Sequence, residues 1–362
     1  MGKKVVVGMS GGVDSSVAAY LLKERGYEVI GVTMQIWQSE TQCEVEKKGG
    51  CCGISAVEDA RRVAEVLDIP YYVMNFRAEF KRDVIDYFVR EYRLGRTPNP
   101  CIACNRYVKW EALLTRSLML GADYIATGHY ARVLTLENGR YALASSKTAA
   151  KDQSYALYNL TQRQLAHTLM PIGEYEKPEV RAIAAAAGLP VAAKPDSQEI
   201  CFVPDGDYAH FIDESTGERA LPGNFVRADR TVLGEHKGLT HYTVGQRKGL
   251  GIAFGEPMYV IELRPEQNEV VLGTGDEVYA EELLAGDVNW MAVAPPPAGE
   301  TLCCRAKIRY NHGGAACSVT VLPDGKIRVA FPTPQRAVTP GQAVVLYTDS
   351  GAVLGGGTIE AE

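Results

Sequence analysis

An α/β fold built on a parallel sheet, followed by a small central domain and a C-terminal β-barrel, is what this 362-residue sequence predicts. Two observations carry that reading. Up to about residue 205, apolar strand-like runs alternate with helical patterns, and from about residue 281 the chain turns into short alternating segments split by turn residues. Strands are predicted at Val5–Val7, Glu28–Met34, Tyr71–Phe76 and Tyr124–Thr127, and helices at Val17–Arg25, Ala56–Leu67, Arg82–Leu94 and Trp110–Leu120. Strands alternating with helices of this length imply a parallel sheet covered on both faces. Between about Asp207 and Ala280 a short helical piece near Phe211 precedes glycine-rich β segments, among them Tyr242–Leu250. Ala306–Tyr310, Ser318–Leu322, Ile327–Phe331 and Ala343–Tyr347, with turns such as Asp324-Gly325, read as a small all-β barrel. The expected domains are 1–206, 207–280 and 281–362.

The first strand runs into Gly8, Met9, Ser10, Gly11, Gly12, Val13, Asp14, Ser15 and Ser16, then an apolar helical run from Val17. Glycines let the backbone approach phosphate oxygens without a Cβ in the way. Amides at a helix N-terminus point at an anion, and the helix dipole favours negative charge there. Ser10, Ser15 and Ser16 add hydroxyl donors, while Asp14 can cap the helix or hold a magnesium ion. The turn lacks the lysine of a Walker loop. Ser-Gly-Gly-x-Asp-Ser-Ser instead resembles the pyrophosphate loop of the adenylating ATP pyrophosphatases. That resemblance implies ATP split between its α and β phosphates and a substrate oxygen converted to an adenylate. Ligands of such a sheet bind beyond the carboxyl ends of the strands, where this loop, Met34 and Gly128-His129 all fall.

Composition bounds the function. Hydrophobic content of 46% and charged content of 23% are those of a soluble globular protein. No apolar run approaches the roughly 20 residues of a membrane span, and Met1-Gly2-Lys3-Lys4 leaves no room for a signal peptide, so a cytoplasmic location is expected. The net charge of −6 argues mildly against nucleic acid, yet Lys81–Arg116 carries eight basic against four acidic residues. That stretch is either a solvated helical face or a phosphate-facing patch.

The nine cysteines are scattered in clusters, a pattern of reactive or metal-binding thiols rather than a disulfide framework. In Thr97-Pro98-Asn99-Pro100-Cys101-Ile102-Ala103-Cys104-Asn105, the prolines impose a rigid, extended approach and end the preceding helix. Cys104, near a helix start with Arg106 and Lys109 close in sequence, has the setting of a nucleophile with a lowered pKa. Cys201 follows the loop Asp196-Ser197-Gln198-Glu199-Ile200. Cys51-Cys52, with Cys43 nearby, reads as a loop feature lacking a fourth zinc ligand, and Cys303, Cys304 and Cys317 read as small buried hydrophobes. His129 is either a polar residue at a strand end or part of the cleft.

Seven segments in order, the pyrophosphate loop, Thr97–Asn105, Gly128–Arg132, Lys151–Tyr155, the Cys201 loop, Tyr242–Leu250 and Lys307–Tyr310, make the whole chain resemble the tRNA-specific 2-thiouridylases. The resemblance implies an ATP pyrophosphatase (adenine nucleotide α hydrolase-like) catalytic domain and a tRNA sulfurtransferase acting on the wobble uridine at position 34. ATP, with Mg2+, would adenylate the oxygen on carbon 2 of uracil, and a cysteine persulfide would then deliver sulfur. By motif, Cys201 matches the persulfide carrier and Cys104 the nucleophile, with a transient disulfide between them. Gly8 through Ser15 would line the phosphates, and Met34 and Gly128 the adenine. Asn99, Pro100 and Cys101 would surround the flipped base. His129, Lys151, Asp152, Gln153, Arg309, Tyr310 and Gln342 would touch the tRNA, whose implied acceptors are those for glutamate, glutamine and lysine. Sulfur would come from a cysteine desulfurase or a relay protein.

Several members of the family carry aspartate where this chain has Cys101. The cysteine creates a C-x-x-C pair with Cys104, and Cys201 is a possible third ligand for an iron–sulfur cluster; the alternative is a resolving or spare thiol. Two rival functions stand beside thiolation. An amidating or ligating synthetase of the same superfamily needs no reactive cysteine pair, and a nucleotide-regulated sulfur carrier would bind ATP without releasing pyrophosphate.

Overall fold

The computed structural model describes residues 2–36, 54–196, 200–252 and 255–361. The chain packs as two compact units. The first comprises Met1–Val84, Cys101–Gly206 and Ser350–Leu354, and the second Ile85–Pro100, Asp207–Asp349 and Gly355–Glu362.

In the first unit, β1 (Lys4–Gly8), β2 (Glu28–Gln35), β3 (Tyr71–Asn75), β4 (Tyr124–Ala126) and the short β7 (Thr168–Leu169) form a parallel sheet in the order β3-β2-β1-β4-β7. Val5, Val6 and Val7 are buried, as a central parallel strand covered on both faces requires. Between β4 and β7 the chain forms an antiparallel hairpin of β5 (Ala131–Thr135) and β6 (Tyr141–Ser145), which the sequence reading does not foresee. Helix α1 (Val13–Glu24) buries Val13, Val17, Ala18 and Leu22 in a core shared with Val5 and Val7 of β1 and with Val180 and Ala184 of helix Lys177–Ala186. The chain leaves β1 towards β2 on one side, while β4 lies on the other. The loop after Gly8 therefore opens at the point where strand order reverses.

The helix expected from Trp110 starts ten positions earlier. A helical run begins at Pro100, passes through a π-helical stretch at Cys104–Leu113 and ends at Met119. Pro100 takes the first helical position, where its fixed φ is preorganised and its missing N–H costs nothing. Cys101 and Cys104, three residues apart, share one face of this run.

In the second unit, helix Asp86–Arg93 stacks Tyr92 against Tyr208 at 6.3 Å between ring centroids. Helix Tyr208–Thr216 is capped by Asp207, whose carboxylate accepts from His210 N at 3.0 Å, and it ends at the left-handed Gly217. Strands β8 (Gly223–Val226), β9 (Val232–His236), β10 (Tyr259–Arg264) and β11 (Glu269–Gly273) form a sheet in the order β10-β11-β8-β9. Tyr242–Leu250, expected as β structure, is a series of turns, because Gly245 and Gly249 take φ of +88° and +77°. The remaining strands, β12 (Tyr279–Trp290), β13 (Thr301–Lys307), β14 (Ala315–Val321), β15 (Ile327–Arg336), β16 (Ala343–Tyr347) and β17 (Val353–Ile359), close into a barrel ordered β12-β15-β14-β13-β16-β17. The α/β class with a C-terminal barrel is thus the observed architecture. Alternation along β13 buries Cys304 but leaves Cys303 exposed, correcting the expectation that all three barrel cysteines are buried.

Candidate functional site

The loop after β1 is held open by its own donors. Ser10 N donates to Ser15 Oγ at 3.2 Å, Ser15 Oγ donates to Gly12 O at 3.2 Å, and Ser16 Oγ donates to the same carbonyl at 2.9 Å. Gly11 takes φ +69°, and a Cβ there would lie 2.3 Å from Ala56 O. Gly128, just past β4, packs so closely that a Cβ would stand 2.5 Å from Ser15 N. Met9 is buried, with its carbonyl accepting from Thr33 Oγ1 at 2.7 Å, and Met34 lies two residues past the Val32 that faces Gly8. The residues expected to hold ATP, Gly8 to Ser15 with Met34 and Gly128, therefore converge at the carboxyl ends of β1, β2 and β4. With no side-chain cap on α1 at Gly12, its first amides are available to an anion.

Asp14 does not cap α1 through its side chain. Its carboxylate accepts from Lys177 Nζ at 2.8 and 2.9 Å and from Tyr130 OH at 2.8 Å. Burial, then the Asp14 charge, pushes the Tyr130 phenol far up, so it stays a donor. Lys177 is also 2.7 Å from Asp196, which accepts from Lys151 at 3.0 Å and Arg181 at 3.2 Å. Burial alone would raise the Asp196 carboxyl, but hydrogen bonds from Lys177 and Lys151 hold it below the ordinary range. A second lysine, Lys194, donates to Gly11 O at 3.0 Å and to Asp59 at 2.7 Å. Sequence reading missed Tyr130, Lys177, Arg181, Lys194 and Asp196 as parts of this brace. The only local signal was the acidic residue opening the Cys201 loop.

Cys101 is exposed, whereas Cys104 and Cys201 are partly buried, and all three are thiols rather than disulfides. Beside Cys104, Asn105 is buried and donates to Ala156 O at 2.9 Å while accepting from Lys109 Nζ at 2.8 Å. Among the described residues no group of three His, Cys, Asp or Glu side chains is arranged to hold a metal ion. Cys101, Cys104 and Cys201 therefore do not form the three-thiolate set that an iron–sulfur cluster requires. Cys43, Cys51, Cys52 and Ser197–Glu199 lie outside the described residues.

The residues expected to touch tRNA divide into two kinds. Lys151, which also pairs with Asp196, and Tyr310 are exposed, Tyr310 by 42%. The others hold structure. Asp152 is buried and accepts from Ser146 N, Ser154 N and Ser154 Oγ, so it anchors a turn rather than facing solvent. Gln153 pairs with Tyr130, accepting from its N–H and donating to its carbonyl, both at 2.9 Å. His129 shares a hydrogen bond with Thr127 Oγ1 at 2.7 Å and stands 5.6 Å from the Trp110 ring. Burial, with the Lys109 charge second, keeps its imidazole neutral well below the usual histidine range. In the second unit, Arg309 donates to Arg336 O at 2.8 Å. Gln342 donates to Thr97 O at 2.7 Å, and Thr97 N donates to Pro340 O at 2.8 Å, so the approach to Asn99 and Pro100 is clamped. The basic Lys81–Arg116 stretch is largely ion-paired: Arg82 with Asp83, Arg90 and Arg96 with Glu91, Arg93 with Glu218 and Arg116 with Glu79.

No described helix is long and apolar enough to cross a membrane. Three family models match the chain: a tRNA methyl transferase HUP domain over residues 3–205, a tRNA methyl transferase PRC-barrel domain over 209–274 and an aminomethyltransferase beta-barrel domain over 280–359. The chain is 67% identical over 357 residues to the tRNA-specific 2-thiouridylase MnmA of Lachnoclostridium phytofermentans, covering 99% of each. It is 57% identical over 359 residues to the protein of the same name from Acetivibrio thermocellus, again covering 99% of each. It is 54% identical over 359 residues to that of Clostridium perfringens, with the same coverage.

Proposed function

The chain belongs to the tRNA-specific 2-thiouridylases, and from that premise we propose that it exchanges oxygen for sulfur at carbon 2 of the wobble uridine of tRNA, using ATP. The observation that carries the ATP step is the glycine–serine loop with unsatisfied α1 amides at the strand-order reversal. The methyltransferase wording of the family models fits the chain less well. Methyl transfer from a sulfonium donor uses neither a phosphate cradle nor a pair of thiols.

In this reading the loop amides and the hydroxyls of Ser10 and Ser15 hold the phosphates of ATP, whose α phosphorus is attacked by the uracil oxygen on carbon 2. Pyrophosphate leaves, and carbon 2 carries a good leaving group. Magnesium would be held chiefly by phosphates, since the described residues offer no cage of carboxylates. Cys201 then presents a terminal persulfide sulfur, which attacks carbon 2 and displaces AMP. The Cys104 thiolate attacks the inner sulfur of Cys201, which releases the thiolated base and leaves a Cys104–Cys201 disulfide for an external thiol to reduce. Asn99, Pro100 and Cys101 flank the flipped base, with Cys101 a second thiol on the face of Cys104. Exposed Lys151 and Tyr310 contact tRNA by charge and by stacking, and the acceptors are the glutamate, glutamine and lysine tRNAs. A cysteine desulfurase or relay protein loads Cys201. The domain boundaries at 206 and 280 belong to this proposal, supported by the spans of the three family models.

The test is nucleoside mass spectrometry of unmodified glutamate tRNA incubated with the protein, ATP, magnesium and a persulfide donor. One sulfur gained for one oxygen at the wobble uridine, only with ATP, is expected. Cys201→Ala should abolish that gain yet retain tRNA-dependent pyrophosphate release. Pyrophosphate release lost in this variant would overturn the division of labour. Thiolation that survives Cys104→Ser plus Cys201→Ser would overturn the persulfide chemistry.

A further inference from the structure

Lys194 grips the glycine–serine loop by its backbone. Its ammonium donates to Gly11 O at 3.0 Å and to Asp59 Oδ2 at 2.7 Å, and both side chains are about two-thirds buried or more. Each end of this tie is itself anchored. Lys194 N donates to Val191 O at 3.0 Å, and Lys194 O accepts from the Arg181 guanidinium at 3.0 Å. Asp59 lies on helix Ile54–Val66, whose Ala60 and Val63 share a buried core with Val191 and α1. The same helix leaves no room at Gly11, where a Cβ would lie 2.3 Å from Ala56 O. Inside the loop, Ser10 N is taken by Ser15 Oγ, and Gly12 O accepts from the hydroxyls of Ser15 and Ser16. The one loop carbonyl bound from outside is thus that of Gly11, and it shares a peptide unit with Gly12 N.

We propose that Lys194, held by Asp59, is a positioning residue that aims the Gly12 amide at the phosphates of a bound nucleotide. The inference rests on the ATP reading above and deepens it. In a trans peptide the carbonyl and the N–H point in opposite directions, and the Gly11–Gly12 peptide is trans. With Gly11 O fixed on Lys194, the Gly12 N–H is turned away from that lysine and joins the amides that open α1. Glycine on both sides makes the flipped orientation accessible too, so a tie from outside the loop has to choose between them. Flipped, the unit would present a carbonyl oxygen to the phosphates, and the like partial charges would repel. The Lys194 charge is matched by Asp59, so the lysine acts through its bond to Gly11 O rather than as a bare cation.

Calorimetric titration with magnesium and α,β-methylene-ATP reads the effect, together with the Gly12 amide resonance of glycine-labelled protein. In the unchanged protein the Gly12 proton should move downfield at saturation, as a hydrogen bond to phosphate requires. Lys194→Met should weaken the Kd by about tenfold or more and abolish that movement at saturation. Asp59→Asn should also weaken binding, because the ammonium loses its anchor. Were Lys194 a direct phosphate contact, the same change would free its charge and tighten binding. The double variant should bind no more weakly than Lys194→Met alone, since the two residues form one tie. If Lys194→Met does not fold, Asp59→Asn carries the test by the sign of its effect. An unchanged Kd in Lys194→Met, or equal or tighter binding in Asp59→Asn, overturns the proposal. So does bound nucleotide with a stationary Gly12 proton in the unchanged protein. Absence of any nucleotide binding by the unchanged protein overturns the ATP reading itself, and the two failures are thereby told apart.

Discussion

Replacing Gly128 by alanine tests the phosphate loop with one methyl group. The new Cβ would stand 2.5 Å from Ser15 N, 2.6 Å from the Asp14 carbonyl carbon and 2.9 Å from Ser15 Cα. Ordinary contact begins at 3.4 Å, so the first turn of α1 must retreat by about 0.9 Å. The neighbours are backbone atoms and cannot rotate aside. Gly128 does not have a positive φ, so alanine gains about 0.4–1 kcal/mol by restricting the unfolded chain. Overpacking costs about 1–3 kcal/mol, which leaves a net loss of up to about 2.6 kcal/mol. A displaced amide falls outside the 2.7–3.2 Å window of a good hydrogen bond. Losing one bond from the Ser15 amide to a charged phosphate costs about 1.5–3 kcal/mol, roughly a 10- to 100-fold weaker Kd for α,β-methylene-ATP with magnesium. Gly188→Ala is the control. Gly188 has φ +67° with nothing within 4 Å of a Cβ, so alanine there costs about 1–2 kcal/mol of strain and leaves affinity alone. Urea unfolding and calorimetric titration of both variants give the comparison. Equal affinity in the two, with Gly128→Ala destabilised, would refute the assignment of the Ser15 amide as a phosphate donor. A Gly128→Ala protein more stable than the unchanged one would refute the close approach itself.

Three further outcomes follow from the same geometry. The His129 imidazole has a depressed pKa in the folded state, so below the unfolded value near 6.5 the unfolded chain binds a proton that the folded one does not. Stability should therefore be full above that pH and fall as pH drops below it, by up to about 1.4 kcal/mol per pH unit; urea midpoints at neutral and mildly acidic pH should show His129→Gln with a shallower slope. Gln342→Ala removes the bond to Thr97 O, worth about 1 kcal/mol, and should raise hydrogen exchange across Arg96–Asn99 while the amides of β1 keep their protection. In the native protein Cys303 should alkylate quickly, and Cys304 and Cys317, buried and 3.6 Å apart between their sulfurs, only on unfolding; peptide mapping after a timed pulse decides it.

Local chemistry made much of this molecule legible. Val5–Val7 reads as a buried strand because three β-branched residues in a row suit a sheet covered on both faces. The run from Gly8 to Ser16 reads as an anion cradle because glycine and hydroxyl residues at a helix start admit few other roles. Tyr242–Leu250 forms turns where its sequence suggests strand, because positive φ at Gly245 and Gly249 is permitted by sequence but chosen only by the surrounding fold. The early start of the Cys104 helix was written in Pro100, whose preference for the first helical position outweighs its reputation as a breaker.

By itself, then, the sequence determined the parallel sheet, the C-terminal barrel, the glycine–serine loop that opens α1 and the family, all of which follow from residues close together in the chain. Only the tertiary structure decided which side chains act together. Lys177 lies 163 residues from Asp14, and no spacing links them; they meet because Val180 and Ala184 share a buried core with α1 and carry the helix N-terminus to the loop. The same holds for Asp152, turned inward onto Ser146 and Ser154, and for Gln342, which reaches back to Thr97. Patterning of apolar residues sets local structure over a few turns. A charged side chain finds its partner only after those elements have packed, since burial and distance set the strength of every such pair.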